Sequence, residues 1–516
     1  MKKIKVLALV IALAMIMAVF IGCTGAGTTK DGEAGKQDGI SGQNGKGATD
    51  EPAVEIKMLF PGAPPKDEAM VLGEMNKKSL AEINTTYSIE WVPWGDWDMV
   101  HNTKLQSGEP LDGVLIFDPL LAQMWVSGAF TPLNEWISPE KTPGLLSVIP
   151  LEVFEDMSIG GNYTCFPSIV SFQNWYIAAN IRKDLREKYG MKPITTLEEL
   201  EEYLTKVAEN EPDMVPASAI GTLQHIYGRV IGYVFFAGPG YLDGGIAMVD
   251  PDTHKVSNYL ESEHFKFTIQ TSRRWYEKGI FTPDSNTPNA PTLESGRTGF
   301  ATHDITMADS WNYSNTLEGV EFERVIINPD AIGFRDFWGN NLVCIPHSSR
   351  HPERVVRWVD WLYGDWDNYI LLLYGIKGVH WEYMEGDTER VQVPAGKDPN
   401  DYPMWHMWQW AQGALDPFRP TMKDDTIALL KKFRSMDTPV VKSPTLGFYA
   451  DLKPVEEEWA LIREAWEKYG QPLVEGRVPI EGNYEKLLEE MKKAGADKFI
   501  AEMQRQYDDW RASKGK

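Results

Sequence analysis

The stretch AVEIKMLFPGAPPKDE, residues 53–68, decides how the body of this chain is read. Val54, Ile56, Met58 and Phe60 fall on alternate positions, the period of a strand with one face turned to a core, and the Pro and Gly cluster after them ends it. Outward from there the elements keep alternating. Residues 67–83 read as a helix, YSIEWVPW as a second strand, residues 96–106 as a helix and LDGVLIF (111–117) as a third, fully buried strand. Strands that alternate with helices predict an α/β domain around a parallel sheet. Ligands of such sheets bind beyond the carboxyl ends of the strands, so the rule points to the loops after Phe60 and Trp91 and to Phe117, Asp118 and Pro119.

Toward the amino terminus, Lys2, Lys3 and Lys5 precede an apolar run over residues 6–21, the layout of a secretory signal peptide. The run is short for a membrane span of about 20 residues. Phe20, Ile21, Gly22 and Cys23 resemble the end of a bacterial lipoprotein signal, with Phe20 standing where Leu is usual. Residues 1–22 are therefore expected to be a signal peptide. Cys23 is the expected lipid attachment, so that the membrane is reached through the anchor alone, on the extracellular face of the cell. Residues 23–52 are Gly, Thr, Lys, Asp and Gln with almost no large apolar side chain, which predicts a flexible linker.

Composition narrows the function. Lys and Arg number 51 against 74 Asp and Glu, a net charge of −23 with no basic block, which excludes nucleic acid as a partner because that affinity rests on cationic contacts to phosphate. Cys165 and Cys344 are far apart and lack metal spacing; they read as buried free thiols, with one disulfide as the alternative. The 19 Trp and 20 Tyr are many for this length; core and interface packing accounts for most of them, but some lie beside loop-forming residues, in WVPWGDWD (91–98), DFWGNN (336–341) and PMWHMWQW (403–410). Flat apolar faces with a polar edge suit sugars.

Toward the carboxyl terminus, residues 193–212 open with a capping box, Thr196 with Glu199, and continue with Leu197, Leu200, Leu204 and Val207 at helical spacing. Residues 244–260 read as a hairpin turning at 251–253, and residues 352–364 as a helix with Pro352 in its first turn and Gly364 at its end. The tail gives two amphipathic helices parted near Gly495. No GxSxG, HExxH, CxxC or Walker loop occurs. GPGYLDGG (238–245) has Asp243 at the third glycine of a dinucleotide loop. DPDTHKVSNYLE (250–261) has Lys255 where a calcium loop needs glycine.

Taken in order, EPLDGVLIFDP, FPSIVSFQNWYIAANIRKDL, TLEELEEYL, SGRTGFATHD, NNLVCIPHSSRHPERVVRWVDWLYG and YGIKGVHWEY resemble the family 1 extracellular solute-binding lipoproteins of bacterial carbohydrate ABC transporters. YGIKGVHWEY and residues 484–510 are similar to a subgroup common in Gram-positive carbohydrate utilisers. The resemblance implies a two-lobed type II periplasmic-binding-protein fold with hinge crossings and a helical carboxyl-terminal tail. Laid on this chain, the crossings fall near 169–174, 301–304 and 338–341. Lobe 1 is then 53–170 plus 305–338, and lobe 2 is 171–304 plus 339–516. The subgroup often carries a calcium loop after the capping-box helix; ENEPDMVPA (209–217) is shorter and lacks the oxygen ligands, so no metal is expected there, and no cofactor.

The resemblance implies a monomeric, non-enzymatic receptor that takes a carbohydrate, in the first place an oligosaccharide, and docks on membrane permease subunits. The alternatives are a glycan-degrading surface enzyme, a polysaccharide-binding adhesin or a receptor for oligopeptides. Asp118, at a strand end, is the leading acceptor for sugar hydroxyls, with a helix-capping role as the other reading. Gln173, Asn174 and Trp175 lie on the first crossing. His303 and Asp304 lie on the second, either in the site or as a mutually bonded structural pair. Trp338 is a candidate stacking platform; Gln224, His225 and Trp381 complete the set. Arg229, Arg335 and Arg419 are candidates to pair with an acidic sugar, which leaves uronate against neutral sugar open.

Overall fold

Eight strands build two sheets: β1 (Val54–Pro61), β2 (Thr85–Val92), β3 (Gly113–Phe117), β4 (Phe166–Ser168), β5 (Ile177–Arg182), β6 (Phe300–Asp304), β7 (Phe322–Val325) and β8 (Asn341–Cys344). The computed structural model describes residues 51–515 other than 174–176, 219–222, 241–243, 286, 288–289 and 337, so the signal, Cys23 and nearly all of the linker lie outside the described residues. Among the described residues no helix is long and apolar enough to cross a membrane.

The first sheet has the order β2-β1-β3-β8-β4. β1 runs parallel to β2 from Val54 opposite Thr85 to Pro61 opposite Val92, and Met58 lies opposite Gly113 of β3. The glycine is required there, because a side-chain carbon at 113 would collide with Met58 Sδ. Alternation predicts one buried face for β1, yet Leu59 is as fully buried as Met58 and Phe60. Parallel sheets are buried under helices, and Glu68–Ile83 packs on β2 while Pro352–Gly364 packs on β1 and on that helix. β8 returns antiparallel between β3 and β4, making the sheet mixed. Cys165, just before β4, and Cys344, at the end of β8, are both buried and free.

The second sheet, β7-β5-β6, is antiparallel throughout. Its core includes Ile181, Leu200, Leu204, Val207 and Trp275. The helix Leu197–Asn210 starts at the expected capping box: Thr196 Oγ1 accepts from the Glu199 amide at 3.2 Å, and Glu199 accepts from the Thr196 amide at 3.1 Å. Beside it, the hairpin Ala247–Val249 and Val256–Asn258 joins the helix Glu263–Glu277 and the tail helices Asn483–Lys493 and Ala496–Ser513 around Phe265, Leu487, Phe499 and Met503. Gly495, with φ of 91°, makes the break between the tail helices that the sequence predicts.

The lobe boundaries differ from the expected ones. Residues 305–338 were assigned to lobe 1, but β7 pairs with β5 along Phe322 to Val325, and the helix Met307–Ser314 packs on β7. These residues belong largely to the second lobe. Residues 339–411 carry β8 and the helices Pro352–Gly364 and Trp366–Tyr374, whose side chains fill the first core. The expected crossing at 301–304 is β6 itself, paired along its length with β5. The chain instead passes between sheets after Ser168 and again between Val325 and Asn341. After Ala411 it leaves the first core for a cluster of Phe334, Phe418, Leu430 and Phe433. The reason is topological: β6 and β7, joined by a short helix and lying on either side of β5, look in sequence like an excursion to another sheet.

Candidate ligand-binding cleft

A cavity of about 550 Å³ opens between the sheets. One wall comes from the first lobe and the segment that leaves it: Asn341 at the start of β8, Tyr374, Trp405, Trp408 and Asp416. The other comes from the end of β6 and the turn after it: His303, Asp304, Thr306 and Met307. Arg419 and Arg434 line the cavity between them.

The first wall is aromatic. Trp408 stacks on Trp94 with ring centroids 6.1 Å apart and planes 11° apart, and Trp94 stacks in turn on Phe117 at 6.4 Å and 21°. Trp94 is 56% exposed, a large apolar face left open to solvent. Trp405 has φ of 68°, a left-handed backbone that strains a bulky residue. It is held there because its amide donates to Leu373 O at 2.8 Å and its indole Nε1 donates to Asp416 Oδ2 at 2.8 Å. Asp416 is buried; its Oδ1 accepts from the Tyr369 hydroxyl at 2.5 Å and from Tyr374 at 3.4 Å. Burial pushes its carboxyl above the usual range, against the pull of Arg434 and of the bonds from Tyr369 and Trp405.

The second wall is polar. His303 Nδ1 lies 3.1 Å from Asp304 Oδ2, and Asp304 Oδ1 accepts from the Thr306 amide at 2.8 Å and its hydroxyl at 2.5 Å. The contact with Asp304 holds the His303 imidazole above its ordinary pKa. Burial opposes ionisation of Asp304, but the bonds from His303 and Thr306 prevail and hold it below the usual carboxylate range. The structural pairing foreseen for these residues and their place in the cavity thus hold together. A neighbouring cavity of about 570 Å³, lined by Ser218, Thr292, Glu294 and Trp311 among others, shares His303 and Met307 with the first.

Asp118 sits where β3 passes into the helix Asp118–Val126, one residue beyond the Phe117 ring. It makes no side-chain cap to that helix; its Oδ1 accepts from the Tyr449 hydroxyl at 3.0 Å. Burial raises its carboxyl to about 6, with the Tyr449 bond pulling the other way. Gln173 is buried on the first crossing, its backbone tied to Ser171 Oγ at both ends, and its side-chain Nε2 has no acceptor among the described residues. Asn174 and Trp175 lie outside the described residues. Gln224 and His225 are in the helix Leu223–Ile231, and their side chains are likewise outside what is described.

Two candidates are corrected. Trp338 is no platform: it is 3% exposed, covered by the Arg335 guanidinium 4.2 Å above its ring and by the edge of Phe172, with Nε1 donating to Asp156 at 3.2 Å. Trp381 is also 3% exposed, its Nε1 donating to Gly375 O at 2.9 Å in the first core. Arg335 is buried with Nε donating to Phe172 O at 2.7 Å, and Arg229 is buried with a bond to Ile327 O, so of the three arginines considered Arg419 alone lines the cavity. Sequence reading singled out the segments of Trp94, Trp405 and Trp408 as aromatic and loop-borne without assigning those residues. Asp416 and Arg434 gave no signal, because each stands alone among ordinary loop and helix residues.

Comparison with known proteins agrees with this architecture. The family model described as bacterial extracellular solute-binding protein matches residues 78–365, and one described as a domain of unknown function (DUF3502) matches residues 444–512. A carbohydrate ABC transporter substrate-binding protein of Streptococcus pneumoniae serotype 4 is 25% identical over 492 residues, 92% of this chain and 94% of that protein. The crystal structure of the N-glycan transport solute-binding protein NgtS of Streptococcus pneumoniae superposes with a TM-score of 0.72 at 22% identity, over 90% of this chain and 100% of that one. The FusA substrate-binding protein of S. pneumoniae in complex with kestose gives a TM-score of 0.56 at 17% identity, over 89% and 99%. With more than half of its length matched by the family model and the two-lobed fold shared, this chain belongs to the bacterial extracellular solute-binding proteins.

Proposed function

We propose that the protein is the receptor of a carbohydrate ABC importer, lipid-anchored through Cys23 on the outer face of the cell membrane. It captures an oligosaccharide between its lobes and delivers it to the permease. The observation that carries this reading is the cavity between the sheets, with Trp405 and Trp408 on one side, the latter stacked on the exposed Trp94, and the hydrogen-bonding groups of His303, Asp304 and Thr306 on the other. Apolar sugar faces lie on indole rings, and the hydroxyls need fixed polar partners. The S. pneumoniae relatives that carry carbohydrate names favour the same class.

A ligand that touches both walls favours the closed arrangement by the difference between its affinities for the two states, which is how occupancy reaches the permease. Asp118 and Gln173 belong to this binding region on the present reading: the one carboxylate at a strand end beside Phe117, the other a crossing residue with an unused donor. The test is a thermal-shift screen of the protein against mono- and oligosaccharides, with product analysis of every hit. A ligand at a hundred times its dissociation constant adds about 2.7 kcal/mol of stability. A shift with the sugar recovered intact is the expected result; a consumed sugar means an enzyme, and no shift with any sugar overturns the reading.

A further inference from the structure

The cavity is lined by two carboxylates, Asp304 and Asp416, and by two guanidiniums, Arg419 and Arg434, and the two kinds of group differ in how they are partnered. Asp304 has both oxygens engaged, by Thr306 and His303, and Asp416 has both engaged, by Tyr369 and Trp405. Among the described residues neither carboxylate forms a salt bridge with an arginine, although the charges of Arg434 and Arg419 reach Asp416 at longer range. On the cationic side, the Arg419 guanidinium has no hydrogen-bond or ion-pair partner among the described residues. It lies 5.7 Å from the centre of the Trp405 ring. Arg434 donates from Nη1 to the Asp416 carbonyl at 2.9 Å, lies 5.1 Å over the Phe418 ring, and keeps a buried Nε with no acceptor. The carboxylates of this cavity are engaged, while the Arg419 guanidinium and the Arg434 Nε have no acceptor among the described residues, which leaves cationic donors for what enters.

We propose that the cargo is an anionic carbohydrate, a sugar bearing a carboxylate, and that Arg419, supported by the charge of Arg434, receives the acidic group beside the Trp405 ring. A guanidinium presents parallel N–H donors that match the two oxygens of a carboxylate, which a hydroxyl cannot do. The inference rests on the carbohydrate reading above and narrows it.

The experiment is calorimetric titration of the full chain with uronate oligosaccharides, with their carboxyl-reduced counterparts of the same length and linkage, and with neutral and sulfated oligosaccharides. The expected result is at least tenfold tighter binding of a uronate oligosaccharide than of its reduced counterpart, with a gap that narrows as salt is raised. Arg419→Gln is expected to abolish the preference with an unchanged melting temperature in the absence of ligand, and Arg434→Gln to reduce the preference. Binding of a sulfated sugar in place of any uronate keeps the arginines as the anion site and assigns the charge to a sulfate ester. Neutral or reduced sugars bound as tightly as the acidic ones overturn the anionic cargo and leave the carbohydrate receptor standing. No binding of any sugar overturns both.

Discussion

Trp94 and Trp338 occupy nearly the same local sequence, PWGD and FWGN, and end in opposite places. Trp338 is 3% exposed and Trp94 56%. The glycines that follow show why. A side-chain carbon on Gly339 would lie 2.5 Å from the Ser168 carbonyl oxygen, so the loop is pressed against β4 and the indole is driven inward among Phe172, Arg335 and Asp156. A side-chain carbon on Gly95 would meet nothing within 4 Å, and the indole stays on the surface, where its only ring neighbours are Phe117 and Trp408 among the described residues. An aromatic beside a turn thus marks either a plug or a platform, and the close approach of another strand decides between them.

The largest effect is expected from deleting the plug. Trp338→Ala should destabilise the protein by about 3–5 kcal/mol in denaturant unfolding, the range for a buried large aromatic. Trp94→Ala should change stability by less than about 0.5 kcal/mol, as exposed positions do. It should still weaken sugar binding by tenfold or more, and equal losses of stability in the two variants would break the contrast. The glycines give an intermediate effect. Gly339→Ala should cost about 1–3 kcal/mol, because the added methyl forces backbone to shift, whereas Gly95→Ala should be near neutral in the same unfolding assay.

The smallest effect sharpens the same contrast for a charge. Asp118 is half-buried beside Tyr449, and its carboxyl is raised from 3.8 to about 6. An acid with a raised folded value contributes stability that is fully present below 3.8 and lost as pH rises through about 6. Asp118→Asn removes the titration. Wild type should therefore lose about 1 kcal/mol relative to the variant between pH 4 and 7, less than the full shift implies because solvent screens a partly exposed group. A pH-independent difference would show that Asp118 is as open as Trp94.

Much of the fold was legible because its signals are local. The alternation in 53–60, the Thr196 and Glu199 cap, Pro352 and Gly364 at the ends of their helix and the break at Gly495 each depend on a few neighbours, and each lies where the residues put it. The cleft was legible in part. His303 and Asp304 stand together on its wall, and the segments holding Trp94, Trp405 and Trp408 were recognisable by composition. Trp338 and Trp381 were misplaced because burial of an indole depends on strands and helices distant in the chain.

The sequence by itself determined the class of the chain and most of its elements, since hydrophobic period, caps and turn residues act over a turn or a strand. The tertiary structure alone decided which lobe holds residues 305–411, because strand pairing joins segments more than a hundred residues apart: β7 to β5, and β8 to β3. It also decided which charges face the cavity with partners and which without. Asp416 meets Tyr369 and Trp405, while Arg419 lies beside the Trp405 ring with no hydrogen bond or ion pair among the described residues, and that difference arises from where distant segments converge.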